Sequence, residues 1–325
     1  MNPNTIFDIT TPEEFKTLAL EVFAFQFEHC EVYHSFCTHL NKTPENVNQL
    51  QDIPFLPISF FKSKRVISQG KKAMQTFTSS GTTGKTTSKH YVADLKLYEK
   101  SYLKGFEHFY GAIDDYCILA LLPSYLERKG SSLIYMANDL IAKSRYPLSG
   151  FYLDDFTLLT KTLQGLEASQ TKSILIGVSF ALLDLIEIND IPLQHTLVME
   201  TGGMKGRRKE LIRQELHTLL GKGFNTPHIH SEYGMTELLS QAYSKGNGLF
   251  NTPPWMNVMV RDTEDPMSYV IHGKTGGLNI IDLANLYSCS FIATQDLGKT
   301  HANGDFEILG RFDHSDVRGC NLMAL

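Results

Sequence analysis

The chain has 325 residues, of which 42% are apolar and 20% are charged, and its formal net charge is −5. These values are typical of a globular protein with a sizeable core, and the negative balance argues against nucleic acid as an obligate partner, because neutralising phosphates needs a clustered excess of Lys and Arg. The sequence shows no basic segment followed by an apolar one at its start and no apolar run of about 18 residues, so it predicts no secretory signal, no membrane span and a cytoplasmic location.

The first predicted element is a helix that begins after Thr11. Thr11 fits the N-cap, Pro12 the first helical position and Glu14 the partner of a capping box. The stretch HCEVYHSFCTHL at 29–40 then brings two Cys and three His together. We interpret it as a packed helix rather than a metal site, because the spacing lacks a C-x-x-C or H-x-x-x-H pair. The five cysteines are irregularly spaced, which argues against a disulfide framework.

The middle of the chain alternates between helical and apolar strand patterns. This alternation predicts a mainly parallel sheet covered by helices, an α/β fold. The predicted helices are 94–109, 132–143, 157–165, 181–188 and 209–220, and the predicted strands are 116–122, 173–178, 195–199 and 227–230. After about residue 255 the helical patterns end, and five strands are predicted at 256–261, 268–272, 278–283, 289–294 and 305–309. We therefore expect a β-rich C-terminal part.

A loop rich in Gly, Ser, Thr and Lys, TFTSSGTTGKTTSKH at 76–90, predicts a phosphate site, because small residues let backbone N–H groups approach the anion. Gly84-Lys85-Thr86 fits the end of the Walker pattern G-x-x-x-x-G-K-[ST]. The first glycine of that pattern would fall at residue 79, which is Ser. A Walker loop also opens a helix, whereas residues 86–92 have the alternation of a strand. The sequence therefore argues against a Walker loop.

The same loop resembles the phosphate loop T-S-G-[ST]-T-G-x-P-K of the adenylate-forming ligase superfamily. The resemblance implies an ATP phosphate cradle formed by Thr78, Ser79, Ser80, Gly81, Thr82, Thr83 and Gly84. This sequence lacks the Pro that precedes the final Lys of the pattern, so either Lys85 or Lys89 takes the role of that lysine.

Ser231 to Glu237 (SEYGMTE) resembles the superfamily's Y-G-x-T-E motif. The resemblance implies that Tyr233 and Gly234 lie at the adenine, that Thr236 contacts the α-phosphate and that Glu237 holds Mg²⁺, a cation that prefers oxygen ligands. The alternative interpretation is a helix start with Thr236 as the cap and Glu237 complementing the dipole.

Three further segments resemble superfamily motifs in the expected order. Gly202 and Gly203 follow an apolar strand, where the family has a Gly-rich loop against the adenine. Asp296 lies in TQDLG, similar to the T-G-D segment whose Asp binds the ribose hydroxyls, with Gln in place of Gly. Arg311 lies in GRFD, similar to the G-R-x-D hinge whose Arg reaches the ribose or a phosphate. Five motifs in one order are much more specific than any single motif.

The chain's ending and DIPFLPISFFKSKRV at 52–66 resemble the acyl-protein synthetases of bacterial luminescence operons, also called luciferin-component ligases. In that family a Cys near the C-terminus accepts the acyl group and carries it to a reductase partner, and Cys320 matches it by position. We expect a helical segment at 1–65 packing on the main domain, an adenylate-forming domain at 66–309, and a hinge remnant with a tail at 310–325. Most of the usual small C-terminal domain is expected to be absent.

The expected function is ATP- and Mg²⁺-dependent activation of a carboxylic acid, with a fatty acid implied by the resemblance, followed by transfer to Cys320. Three alternatives stay open. In the first two, the acyl group goes to CoA or to an acyl carrier protein, as in an enzyme of the phenylacetate-CoA ligase type. In the third, the chain is a nucleotide-binding pseudoenzyme subunit. Residues 121–141 line either an acyl tunnel or ordinary core, and His228 or His230 either touches the substrate carboxylate or is structural.

Overall fold

The computed structural model describes residues 2–79, 87–122, 130–153, 155–188, 191–203, 208 and 211–312. The α-helices of this part are α1 (Pro12–His29), α2 (Glu31–His39), α3 (Phe60–Ser63), α4 (Leu95–Tyr110), α5 (Ser132–Lys143), α6 (Phe156–Ala168), α7 (Ser179–Ile188) and α8 (Arg213–Gly223). The strands are β1 (Leu56–Pro57), β2 (Gln75–Thr78), β3 (Lys89–Val92), β4 (Cys117–Leu121), β5 (Gly150–Phe151), β6 (Ser173–Val178), β7 (Thr196–Thr201), β8 (Ile229–Tyr233), β9 (Ala242–Ser244), β10 (Phe250–Asn251), β11 (Met256–Arg261), β12 (Gly276–Asp282), β13 (Phe291–Thr300) and β14 (Phe306–Arg311).

One mixed sheet of twelve strands organises the chain. Its strand order is β11-β12-β13-β14-β10-β9-β8-β7-β6-β4-β5, and β1 pairs with β13 off this path. The half containing β4 to β8 is parallel, and its central strands β4 and β6 are buried along their whole length because helices cover both faces. The predicted α/β fold with a parallel-rich sheet is confirmed. The C-terminal antiparallel strands continue the same sheet.

The start of α1 follows the predicted capping box. The Thr11 hydroxyl accepts a hydrogen bond from Glu14 N at 3.2 Å, and the Glu14 carboxylate accepts one from Thr11 N at 3.0 Å. The main-chain N–H groups of Thr11 and Glu14, which have no partner within the helix, are thus both hydrogen-bonded, as the capping-box pattern predicts. In α2 the side chain of Cys37 is buried, as is that of Cys30 in front of the helix.

The N-terminal helices are joined to the far end of the chain by one buried side chain. The Gln26 amide of α1 donates to Asn285 O, Leu286 O and Ser290 Oγ, and its oxygen accepts from Ser290 N at 2.9 Å. The nitrogen and the oxygen of the buried amide thus both have hydrogen-bond partners inside the protein. Because these hydrogen bonds join Gln26 of α1 to the turn before β13, α1 helps to fix that turn.

Three predicted element boundaries are wrong. The strand predicted at 268–272 is reduced to one isolated bridge between Tyr269 and Arg261. It follows a turn in which the carboxylates of Asp262 and Asp265 accept hydrogen bonds from nearby main-chain N–H groups. The strand predicted at 289–294 begins two residues later and runs to Thr300, since residues 288–290 form the turn held by Gln26. The helix predicted at 209–220 begins only at Arg213. The other predicted helices and strands are confirmed to within a few residues.

Among the helices that the structure describes, none combines the length and the apolar character needed to cross a membrane.

Candidate functional site

Two of the predicted motifs meet at the carboxyl ends of neighbouring parallel strands. β7 ends at Thr201, directly before Gly202 and Gly203, and β8 ends at Tyr233. The two strands are in register, with Thr201 opposite Glu232. Gly202 has a φ of +69°, a conformation that glycine adopts without strain. Ligands of open α/β sheets bind at such strand ends, so this edge is the candidate site.

The predicted phosphate loop rises from the β2–β3 hairpin. The strand predicted to follow the loop is β3, which pairs antiparallel with β2, so residues 87–92 do not open a helix and the Walker interpretation fails. Two hydrogen bonds close the stem: Ser79 N donates to Ser88 O at 3.1 Å, and Ser88 N donates to Ser79 Oγ at 3.0 Å. Lys89 is exposed and lies opposite Thr78 in this ladder. Residues 80–86, which include Ser80, Gly81, Thr82, Thr83, Gly84 and Lys85, lie outside the described residues.

Tyr233, Asp296 and Arg311 form one hydrogen-bonded group. The Tyr233 hydroxyl donates to Asp296 Oδ2 at 2.7 Å, and Arg311 Nε donates to Asp296 Oδ1 at 3.0 Å. Asp296 and Arg311 are also directly opposite each other in the β13–β14 ladder. Asp296 is buried, whereas the Arg311 side chain is exposed. The sheet therefore brings the predicted adenine, ribose and hinge residues into contact.

The segment after β8, residues 234–241, forms an irregular loop that we call the 234–241 loop. The alternative interpretation of a helix start at Thr236 is therefore wrong. Glu237 in this loop is buried, and this burial raises the pKa of its carboxyl, while hydrogen bonding from Ser88 and the charges of Arg311 and Lys62 act in the opposite direction. Because Ser88 closes the stem of the phosphate loop, the predicted Mg²⁺ ligand lies beside that stem.

Three buried polar side chains hydrogen-bond the main chain of the 234–241 loop. Asp282, at the end of β12, accepts hydrogen bonds from Leu239 N at 2.7 Å, Ser240 N at 3.0 Å and Ser240 Oγ at 2.5 Å. The Asn285 Nδ2 group donates to Glu237 O at 2.8 Å, and His90 Nδ1 lies 2.8 Å from Thr236 O. None of these three supporting residues was identified from the sequence. Short-range patterns offered no signal for them, since each acts across a long sequence separation.

Glu232 is a second carboxyl that the sequence analysis left without a role. Its Oε2 accepts a hydrogen bond from the Thr201 hydroxyl at 2.5 Å, and burial followed by the nearby charge of Glu200 raises the pKa of its carboxyl to about 7. A Cβ at residue 234 would lie 2.5 Å from Glu232 Oε1. A side chain at residue 234 would therefore displace the Glu232 carboxylate from its present position.

We predict that Glu232 makes stability depend on pH. Its folded pKa of about 7 exceeds the ordinary 4.5, so the folded protein binds the proton more tightly and loses about 3 kcal/mol of unfolding free energy as the pH rises from 4.5 to 7. Glu232→Gln keeps an oxygen for Thr201 and does not titrate. Urea unfolding of both proteins at several pH values should show the variant gaining relative stability with increasing pH. A constant difference between them would contradict this assignment.

Several of the remaining predicted residues are either buried in the core or lie outside the described residues. His230 is buried under Tyr110, whose hydroxyl lies 3.3 Å from its Nδ1, and burial lowers the pKa of His230 to about 4. Met136 and Leu140 of α5 belong to the buried core. Cys320 lies outside the described residues. Among those described, no group of three or more His, Cys, Asp or Glu side chains has the arrangement of a metal site.

Comparison with known proteins confirms the resemblance to acyl-protein synthetases. A family model described as acyl-protein synthetase, LuxE, matches residues 10–125. A long-chain-fatty-acid–luciferin-component ligase of Photorhabdus luminescens is 36% identical over 70 residues, which are 21% of this chain and 60% of that protein. One of the same description from Aliivibrio fischeri is 23% identical over 333 aligned positions, covering 94% of this chain and 86% of the relative.

Solved structures with the same fold are adenylate-forming ligases. A 2-hydroxyisobutyryl-CoA ligase in complex with 2-HIB-AMP and CoA superimposes with a TM-score of 0.67 at 13% identity, covering 94% of this chain and 70% of the ligase. ATP-bound MatB from Rhodopseudomonas palustris gives a TM-score of 0.55 at 17% identity, covering 86% of this chain and 56% of MatB. The present chain thus spans little more than half of MatB. It has the fold of these ligases.

Proposed function

We propose that this chain activates a carboxylic acid as an acyl-adenylate and passes the acyl group to a thiol; the names of its relatives describe ligases of a long-chain fatty acid. The observation that supports this most directly is the convergence of Tyr233, Asp296, Arg311 and Glu237 beside the stem of the loop between Ser79 and Ser88. The four residues come from three separate sequence motifs, and the loop is a fourth. An adenine, a ribose and a triphosphate need such groups side by side.

In the first step a carboxylate oxygen attacks the α-phosphorus of ATP, the bond to the bridging oxygen breaks, and pyrophosphate leaves. Tyr233, with Gly202, Gly203 and Gly234, would bind adenine, and Asp296 and Arg311 would bind the ribose. The loop from Thr78 to Lys85 would bind the β- and γ-phosphates with its amides, hydroxyls and lysine, and Thr236 the α-phosphate. Groups placed in advance around developing charge are the main source of rate enhancement in such a reaction.

Mg²⁺ fits the residues present. Glu237 is a buried carboxylate whose pKa is raised by burial, so a cation beside it would compensate for the loss of water. One protein carboxylate together with phosphate oxygens and water is a common Mg²⁺ environment. When bound, Mg²⁺ would neutralise charge on the transferring phosphoryl group. Glu237 would hold it, with Ser88 orienting the carboxylate.

The second step is the transfer of the acyl group from AMP to sulfur. A thiolate attacks the acyl carbon, AMP leaves with the bonding electrons, and a thioester results. We propose Cys320 as the acceptor, a fatty acid as the substrate, and the boundaries 1–65, 66–309 and 310–325 for the three parts of the chain. A reductase-like protein, an acyl carrier protein or CoA would receive the product in the cytoplasm.

Intact mass after incubation with Mg-ATP and single carboxylic acids tests this function. The acids are straight-chain fatty acids of increasing length and phenylacetate. We expect a mass increase equal to the acyl group, which hydroxylamine removes and which is lost in Cys320→Ser but kept in the buried-cysteine control Cys117→Ala. CoA-dependent release of AMP without an adduct would instead favour the phenylacetate-CoA ligase type. Absence of ATP–pyrophosphate exchange with every acid would favour the pseudoenzyme.

A further inference from the structure

Asn285, at the end of the short 3₁₀ helix Leu283–Asn285, is a buried hub between four parts of the chain. Its Nδ2 donates to Glu237 O at 2.8 Å and to Cys289 O at 2.9 Å. Its main-chain carbonyl accepts from Gln26 of α1 at 3.1 Å. The two donated bonds fix which way the amide points, so Oδ1 is the atom that faces His90.

His90 is fully buried on β3, two residues after Ser88. Its Nδ1 lies 2.8 Å from Thr236 O and its Nε2 lies 2.9 Å from Asn285 Oδ1. The ring packs edge-on against Phe61 with centroids 5.7 Å apart. Strand alternation accounts for the placement, because Ser88 and His90 point to the buried side while Lys89 is exposed.

Both ring nitrogens of His90 therefore face oxygen acceptors. A neutral imidazole carries one N–H and can donate to only one of them. Burial lowers the pKa of His90 to about 4, which leaves the ring neutral at pH 7. Only one of the two contacts can therefore be a hydrogen bond donated by the ring. Substituting His90 by Asn or by Gln, whose amide nitrogens replace Nδ1 and Nε2 respectively, can identify which one.

We propose that His90 is a positioning residue, whose Nδ1–H donates to Thr236 O and thereby ties the 234–241 loop to the strand that leaves the phosphate loop. This inference rests on the proposed function, because it concerns the positions of Thr236 and Glu237, which that function assigns to the α-phosphate and to Mg²⁺. With the carbonyl of Thr236 held by His90 and that of Glu237 held by Asn285, the backbone carrying both side chains is fixed. Ser88 lies directly before β3 and His90 lies on it, so the stem of the phosphate loop and the Glu237 carboxylate keep one relative position.

The test compares His90→Asn with His90→Gln. The Asn amide nitrogen takes the place of Nδ1 and keeps the bond to Thr236 O, whereas the Gln amide nitrogen takes the place of Nε2 and keeps only the contact with Asn285. Both lose the ring and its contact with Phe61 and differ from each other by one methylene, so their melting temperatures are compared as the check on packing. His301→Asn is the control for a histidine outside the site, where the ring nitrogen lies 2.8 Å from Glu307 at the far end of β13.

We expect His90→Gln to lower the turnover number of ATP–pyrophosphate exchange and to raise the half-saturating Mg²⁺ concentration, each by about 10- to 100-fold, as supporting residues of metal sites do. His90→Asn should remain within about threefold of the parent, at the same melting temperature as His90→Gln. Equal losses in both variants, or a loss only in His90→Asn, would overturn the assignment to Thr236.

Amide hydrogen exchange separates this inference from the proposed function. The N–H groups of Leu239 and Ser240 are held by Asp282, so their exchange reports opening of the 234–241 loop without any turnover. We expect faster exchange there in His90→Gln but not in His90→Asn, even if the parent protein shows no pyrophosphate exchange with any acid. Identical protection in both variants and the parent would overturn the inference while leaving the proposed function intact.

Discussion

Glu237→Gln is expected to lower the rate of ATP–pyrophosphate exchange by about 10²-fold or more. The substitution removes the one carboxylate that we place on Mg²⁺ and keeps the size of the side chain. Losing a group directed at developing charge in a buried site costs rates of this order. The measurement is exchange of labelled pyrophosphate into ATP at saturating acid, over a range of Mg²⁺ concentrations.

The same variant should fold at least as well as the parent. Burial raises the pKa of Glu237, which means that the folded protein holds the charged carboxylate unfavourably, and the neutral amide does not carry that cost. Thermal unfolding without nucleotide therefore serves as the internal check on folding. Glu307→Gln is the matched control, because Glu307 pairs with Lys299 and His301 away from the site. A loss of less than tenfold at unchanged stability would remove Glu237 from the proposed metal site.

Asp296→Asn is expected to raise the KM for ATP by about 10- to 100-fold, with a smaller effect on the turnover number. Asp296 accepts from the Tyr233 hydroxyl and from Arg311 at the same time. An amide has one oxygen, so it can serve only one of these donors and presents an N–H to the other. Hydrogen bonds to charged groups contribute about 1.5–3 kcal/mol, which corresponds to this range of affinity.

Steady-state kinetics at saturating acid give both constants for Asp296→Asn. Tyr233→Phe is the graded companion, because it removes only the hydroxyl and leaves the ring for the adenine, so its KM should rise less. Asp305→Asn changes a partly buried carboxylate that contacts Asn303 near the far end of the same hairpin, and it should leave the KM unchanged. An unchanged KM in Asp296→Asn would show that this carboxylate does not bind the ribose.

The main signals for the fold were local. The capping box at Thr11 and Glu14, the apolar runs that became β4, β6 and β7, and the strand leaving the glycine-rich loop all depend on residues within a few positions of each other. Propensity and periodicity act over that range. The prediction failed at 268–272 for the same reason. An alternating pattern does not show how far the pairing of a strand extends, and here the pairing is limited to one isolated bridge between Tyr269 and Arg261.

The residues of the candidate site fall into two groups, those identified from a local motif and those recognised only from the structure. Tyr233, Glu237, Asp296 and Arg311 were identified because each lies in a short recognisable motif. Ser88, Asp282 and Asn285 were not, because serine, aspartate and asparagine on a strand or turn carry no signal until their partners are known. His90 looked like one residue of a strand. Its role depends on Thr236, 146 residues away, and on Asn285, 195 residues away.

The sequence by itself determined the α/β class, the order of the five motifs and the residue types available for a nucleotide. The tertiary structure decided which of these groups meet. The register of β13 with β14 placed Asp296 opposite Arg311, and the Tyr233 hydroxyl donates to the same carboxylate from 63 residues away. The path of β3 beside the 234–241 loop placed His90 against Thr236. The physical reason is that side-chain patterns act over a few residues, whereas buried hydrogen-bond partners are set by the order in which strands associate.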